Sequence, residues 1–321
     1  MLGAGAWGTA IACALAGRLE VSLWPRDAAQ AATMRRTRLN SRYLPGIALP
    51  EALEIARDAA AALHGAALAL IATPVSGLRE TLALVRGLDA APLWLCKGFE
   101  QGTALMPHQV VEAVLGAQAR CGALSGPSFA LEVAHGLPCA LTLASRDAEF
   151  ARDAAGLLHG GRLRVYYSED LVGVEVGGAV KNVMAIAVGI SDGLGLGQNA
   201  RAALVTRGLA EIARLGVALG GAPETFMGLA GAGDLFLTAT GDLSRNRRVG
   251  LGLAGGKAPA RILAELGHVA EGVRTANEVL HIAAAHGVEM PISEAVVAVL
   301  EGRLAAANAV EMLLSRDPRA E

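Results

Sequence analysis

Three glycines at the start of the chain constrain its fold most. In "MLGAGAWGTA", Gly3, Gly5 and Gly8 spell G-x-G-x-x-G. That spacing marks the loop between a first strand and a first helix, where a dinucleotide's pyrophosphate rests on the helix N-terminus. Only Met1 and Leu2 stand in front of it, so the strand that should carry the loop reads as truncated.

The segments that follow keep the rhythm this motif demands. An Ala-rich helix from Thr9 to Gly17 leads into the short strand "LEVSLW", then a basic helical stretch around Met34 to Arg38 and a Pro-marked loop at "YLPGIALP". Buried strands are expected at "AALALIAT", "APLWLCKG", "CGALSGPS" and "PCALTLAS", with a helix from Met106 to Leu115, and the series closes at "LRVYYS". Strands alternating with helices predict a mostly parallel sheet covered on both faces. Beyond it the apolar spacing turns helical, with "GLAGGKAP" as a flexible loop. The expected fold is an α/β Rossmann-like doubly wound N-terminal domain, residues 1–168, followed by an all-α C-terminal domain, residues 169–321.

Composition narrows the partners. With 30 acidic and 28 basic residues the formal charge is −2, which gives no electrostatic reason to expect nucleic acid or a membrane surface. No apolar stretch reads as a membrane span, and no signal peptide is visible. The four cysteines, Cys13, Cys96, Cys121 and Cys139, lack metal-ligand spacing, so no metal site is predicted and a reducing cytoplasm fits. Hydrophobic residues make up 53% and aromatics only 3%, so packing must come from small side chains and close backbone approach.

Several polar residues interrupt these apolar runs. Arg26 lies just past the second strand, where an acidic residue would take ribose hydroxyls and an arginine accepts a 2′-phosphate, which tilts the reading toward NADPH over NADH. Lys97 directly follows a buried strand and suits a ligand-facing cation; "SGPSFA" offers Gly126 for close approach and Ser128 as a hydroxyl. Lys181 and Asn182 sit mid-helix in "VEVGGAVKNVMAIAVGI", with Gly177 and Gly178 one turn earlier to leave room for a ligand. Desolvation lowers a lysine from its usual pKa of about 10.4 toward the range useful to a general base. In "GLAGAGDLFLTATGDLSRNRRVG", Asp234 precedes Ser244, Arg245 and Asn246, whose hydroxyl, guanidinium and amide together suit a phosphate.

Taken in order, "GAGAWGTA", "CKGFE", "SGPSFA", "GGAVKNVMAIAVGISDG", "GAGDL", "SRNRRVG" and "VAEGVRT" resemble the bacterial NAD(P)-dependent glycerol-3-phosphate dehydrogenases over nearly the whole chain. The resemblance implies reversible reduction of dihydroxyacetone phosphate to sn-glycerol 3-phosphate, feeding phospholipid synthesis, by a cytoplasmic homodimer that needs no metal. It implies that Lys181 accepts the proton of the substrate hydroxyl during oxidation and returns it in reduction. It makes Lys97 a contact shared by cofactor and substrate, Gly126 and Ser128 substrate contacts, and Ala130 a cofactor contact. Asp234, Ser244, Arg245 and Asn246 complete the substrate site, Arg245 reaching the cofactor as well. Ala6, Trp7, Arg26, Val269 and Glu271 join the glycines in the cofactor set.

Members of that family carry several apolar residues ahead of the glycine loop. The natural protein is therefore expected to begin upstream of Met1, and the chain as it stands to bind cofactor poorly, because strands flanking a missing one lose their ladder partners. The alternatives are a hydroxyacid or 6-phosphogluconate-type dehydrogenase, and a non-catalytic dinucleotide-binding protein.

Overall fold

The computed structural model describes residues 1–267 and 270–315. The chain divides into two compact units, Met1–Glu100 with Leu105–Leu171, and Gln101–Ala104 with the chain from Val172 onward.

The first unit is built on nine strands: β1 (Val21–Leu23), β2 (Leu39–Asn40), β3 (Leu44–Ala48), β4 (Leu53–Ile55), β5 (Leu68–Ile71), β6 (Ala91–Trp94), β7 (Gly122–Ser125), β8 (Cys139–Ala144) and β9 (Leu163–Ser168). Strands β5 to β9 form one sheet in sequence order, parallel except between β7 and β8, while β1 pairs in parallel with β4. Met1 and Leu2 join the two. Leu2 donates to Leu70 O (2.8 Å) and accepts from Ala72 N (2.8 Å), while Trp24 N reaches Met1 O (2.9 Å) and Gly3 N reaches Trp24 O (3.0 Å). The expectation that β1 and β5 lack a partner is corrected at their carboxyl ends: two residues bridge them beside the glycine loop.

Leu70, Leu93, Leu124, Leu141 and Leu143 on one sheet face enclose a core with Ile11 and Leu15 of helix Ala6–Leu15 and with Phe150, Ala154 and Leu158 of helix Ala148–Leu158. Burying such leucines drives the assembly at roughly 2 kcal/mol each. The segment "YLPGIALP" is not the loop expected. It contains β3, which pairs antiparallel with β2 across an irregular register. Leu44 and Ile47 point inward while Pro45 and Gly46 stay exposed, and Gly46 adopts φ +80°, so turn-forming residues here shape a bulged strand.

The described residues of the second unit form helices joined by turns and loops, with no strand. Helix Leu171–Gly193 runs beside Gly197–Ala218, and shorter helices follow at Asp234–Thr240, Arg245–Ala254, Pro259–Leu266, Glu271–Ala285 and Pro291–Leu300. Among the described residues, Leu171–Gly193 alone is long and apolar enough to cross a membrane, yet 94% of its most apolar window is buried, the mark of a core helix. The loop expected at "GLAGGKAP" begins later, because Gly252 still belongs to helix Arg245–Ala254. A Cβ there would lie 2.8 Å from Ile262 Cδ1, so its bare backbone receives Ile262.

Candidate active site

In the first unit the glycine loop builds an anion cradle. Gly3 has φ +105°, and a Cβ on it would stand 3.0 Å from the Ala72 carbonyl, so β5 presses against the loop from below. A Cβ on Gly8 would lie 2.2 Å from Gly3 O, whereas one on Gly5 would meet nothing. No side chain caps helix Ala6–Leu15, which leaves the first-turn N–H groups of Ala6, Trp7 and Gly8 and the positive end of the helix dipole open to an anion. These features fit a dinucleotide's pyrophosphate.

At the end of β1, Asp27 caps the next helix, accepting from Ala29 N (2.8 Å) and Gln30 N (3.2 Å). Its carboxylate is thereby engaged, and Arg26 beside it is exposed. Past β6 and β7, Lys97 Nζ (3.2 Å) and Ser128 Oγ (3.0 Å) both donate to Gly126 O. Gly126 has φ +136°, a conformation that favours glycine, and a Cβ on it would stand a tight 3.1 Å from Ala140 O. Ala130 opens helix Ala130–Ala134 and packs on the core.

In the second unit Lys181 is buried midway along helix Leu171–Gly193, its side chain 7% exposed. Its ammonium donates to Asp234 Oδ1 and to Thr238 Oγ1 (2.8 Å), and Thr238 Oγ1 donates to Asp234 O (2.7 Å). A buried cation requires such compensation. Asp234 follows a π-helical turn, Leu229–Gly233, a form common at functional sites. That turn closes because a Cβ is absent from Gly231, where it would lie 2.1 Å from Phe226 O. Gly177 does not leave room for a ligand as expected: a Cβ on it would sit 2.6 Å from Ala230 O, so it admits the neighbouring backbone.

Asn182, beside Lys181, accepts from Asn246 Nδ2 (2.9 Å), and Asn246 Oδ1 accepts from Gly272 N (3.0 Å), next to the half-buried Glu271. Ser244 caps helix Arg245–Ala254 through Arg247 N (3.2 Å), which leaves its O–H free to donate. Arg245 is exposed at that helix start. Val269 lies outside the described residues. Sequence reading missed Thr238, whose signal is its position one helical turn after Asp234. Among the described residues no cluster of His, Cys, Asp or Glu could hold a metal ion.

A Rossmann-like unit with an open pyrophosphate cradle and a helical unit with a charge-compensated lysine define a dinucleotide-dependent oxidoreductase. Comparison with known proteins narrows the class. Residues 1–151 match the NAD-dependent glycerol-3-phosphate dehydrogenase N-terminus and residues 170–311 its C-terminus. The chain is 61% identical to "Glycerol-3-phosphate dehydrogenase [NAD(P)+]" of Dechloromonas aromatica, covering 100% of this chain and 98% of that one. Among solved structures it is similar to glycerol-3-phosphate dehydrogenase from Coxiella burnetii, with TM-score 0.93, 43% identity and 98% of both chains covered. It is also similar to the Saccharomyces cerevisiae enzyme, with TM-score 0.83, 29% identity, and 97% and 98% covered. The chain belongs to the NAD-dependent glycerol-3-phosphate dehydrogenase family. The reaction class is NAD(P)-linked oxidoreduction of glycerol 3-phosphate, and neither alternative read from the sequence is favoured.

Proposed function

We propose that this chain reduces dihydroxyacetone phosphate to sn-glycerol 3-phosphate reversibly, with Lys181 moving the proton at the C2 oxygen. The observation that carries this reading is the buried Lys181 ammonium held by Asp234 and Thr238. Fixed in that way, Nζ is aimed by two acceptors rather than left to swing on a flexible stem.

The nicotinamide, when bound, supplies or accepts the hydride at C2. The protein's own groups do the rest. As the carbonyl gains electron density, the Lys181 ammonium stabilises the developing alkoxide and donates its proton; in oxidation the same atom withdraws it. A positioned acid or base of this kind contributes typically 10²–10⁴-fold. Asp234 balances the charge of Lys181 and restrains its side chain. Arg245, the Ser244 hydroxyl and the start of helix Arg245–Ala254 hold the substrate phosphate, whose binding energy orients the remote reacting carbon. Asn246, Lys97, Gly126 and Ser128 are further substrate contacts in this reading.

Residues 1–168 form the dinucleotide domain in this reading, with Gly3, Gly5, Ala6, Trp7 and Gly8 at the pyrophosphate, Arg26 at a 2′-phosphate and Ala130 alongside. Arg245, Val269 and Glu271 are the further cofactor contacts of this reading, and residues 169–321 form the helical substrate domain. NADPH is the preferred reductant, and the enzyme works as a cytoplasmic homodimer that supplies glycerol phosphate for phospholipids.

Lys181→Ala tests the assignment by absorbance decay of NADPH with dihydroxyacetone phosphate. Turnover should fall by about 10³-fold while calorimetric NADPH affinity stays near wild type. Retained turnover removes Lys181 from its role.

A further inference from the structure

Asp192 stands 11 residues beyond Lys181 on the same helix, three turns and about 16 Å along, which returns it to nearly the same face. Its carboxylate is buried, with the side chain 6% exposed, and is shared by two guanidinium groups. Oδ1 accepts from Arg201 Nε (2.8 Å). Oδ2 takes both Nε (2.8 Å) and the second nitrogen (2.7 Å) of Arg247, so two guanidinium nitrogens converge on one charged oxygen in charge-assisted contacts. Arg247 is itself only 12% exposed and donates to Asp242 Oδ1 (3.0 Å), and Arg248 Nε donates to Asp242 O (3.0 Å). The segment before Ser244 is thus fastened on two sides. The Arg247 carbonyl also presses on Gly189, where a Cβ would lie 2.1 Å away. Nothing in the proposed chemistry uses this cluster, and it fixes the one turn that carries Ser244, Arg245 and Asn246.

We propose that Asp192 is a positioning residue for phosphate recognition: through Arg247 it sets the place and orientation of the Ser244–Asn246 turn at a fixed distance from Lys181. Arg247 is held inward by this contact, so Arg245, two positions earlier on the helix, projects away from it and stays available to an anion. The inference rests on the reading of Arg245 as a phosphate ligand.

The test measures KM for dihydroxyacetone phosphate, kcat, KM for NADPH and competitive inhibition by inorganic phosphate in Asp192→Asn, Arg247→Lys, Arg201→Ala and Arg245→Ala. Asp192→Asn keeps the shape and removes the charge. It should raise the substrate KM about tenfold and weaken phosphate inhibition in parallel, with kcat and the NADPH KM nearly unchanged. Arg247→Lys, which keeps the charge and loses the planar pair of nitrogens converging on Oδ2, should show the same split, and Asp192→Glu should recover part of it. Arg201→Ala leaves the Asp192–Arg247 pair intact and should behave as wild type. Should Asp192→Asn fail to fold, Arg247→Lys decides. A wild-type substrate KM and phosphate inhibition in the folded variants overturns the proposal, as does a loss confined to kcat. If Arg245→Ala raises KM and the Asp192 and Arg247 variants do not, the positioning role alone fails. If Arg245→Ala has no effect, the phosphate reading fails first.

Discussion

Replacing Gly250 with alanine sets two effects of opposite sign against each other. Gly250 lies inside helix Arg245–Ala254, where a Gly→Ala change ordinarily stabilises by about 1 kcal/mol through backbone entropy. Here the new Cβ would lie 2.1 Å from Ile186 O, 2.6 Å from Ile190 N and 2.7 Å from Gly189 Cα. All three are backbone atoms of helix Leu171–Gly193, so no side chain can turn aside. Ordinary contact begins near 3.4 Å, and the helices must part by more than 1 Å. That opening stretches the 2.9 Å bond between Asn246 and Asn182 beyond useful length. Overpacking costs about 1–3 kcal/mol and a broken buried amide pair about 1–3 kcal/mol more. Net destabilisation of about 1–5 kcal/mol follows after the propensity gain is subtracted. The same displacement moves the phosphate-binding turn relative to Lys181, and a 1 Å error of that kind costs about 10²-fold in kcat/KM. Denaturant unfolding and steady-state turnover read both effects. Gly156→Ala in helix Ala148–Leu158, where a Cβ meets nothing, is the control and should gain stability. The reasoning is refuted if Gly250→Ala gains stability as the control does and turns over normally.

Two further outcomes follow from single charged groups. Arg26→Ala should raise the KM for NADPH about tenfold and leave that for NADH nearly unchanged, because only the former carries the 2′-phosphate; an equal shift in both would show that Arg26 makes no such contact. Glu211 is 2% exposed, and its carboxylate accepts from Ile292 N (2.7 Å), Ser293 N (3.3 Å) and Ser293 Oγ (3.3 Å) at the start of helix Pro291–Leu300. Burial pushes its pKa up from 4.5 to about 7 against those donors. A folded-state value above the unfolded one means that the native protein binds the extra proton. Its stabilisation is full below pH 4.5 and is lost as pH rises to about 7, by roughly 3 kcal/mol. Glu211→Gln should abolish that slope in denaturant midpoints measured at pH 5 and pH 8; identical slopes in variant and wild type would remove Glu211 as its source.

The glycine loop, Lys181 and the Ser-Arg-Asn string were legible because each is a local exception: glycines where backbone must come close, or a charge inside an apolar run. What stayed hidden was partnership across distance. Asp234 could be read as polar, but not as the counterion of Lys181, because 53 positions separate them. Asp192 and Arg247 stand 55 positions apart, so their pairing too exists only in the folded chain. The strand within "YLPGIALP" was masked by Pro45 and Gly46, whose turn chemistry here bends a strand that Leu44 and Ile47 still bury. Met1 and Leu2 were too short to read as a strand, yet two residues suffice for a bridge when the flanking strands supply the other donors and acceptors.

The sparse aromatic content and the precision of the site have a common physical origin. With aromatics at 3% of residues and 40 glycines, large side chains cannot fill wide gaps between helices, so the helices close until backbone meets backbone. Gly189 and Gly250 do this at the crossing below Asn246, Gly177 does it beneath Ala230 and Gly272 against Asn182 O. A contact between backbones has no rotamer to change, so displacement there is costly and the polar groups carried beside it inherit that rigidity. Lys181, Asn182 and Asn246 each lie within a few residues of such a contact. A lysine on a helix packed through flexible side chains could be equally well compensated yet wander relative to the phosphate turn. Here the small residues fix the distance, Asp234 and Thr238 fix the ammonium, and the proton transfer proposed for Lys181 requires both to be fixed at once.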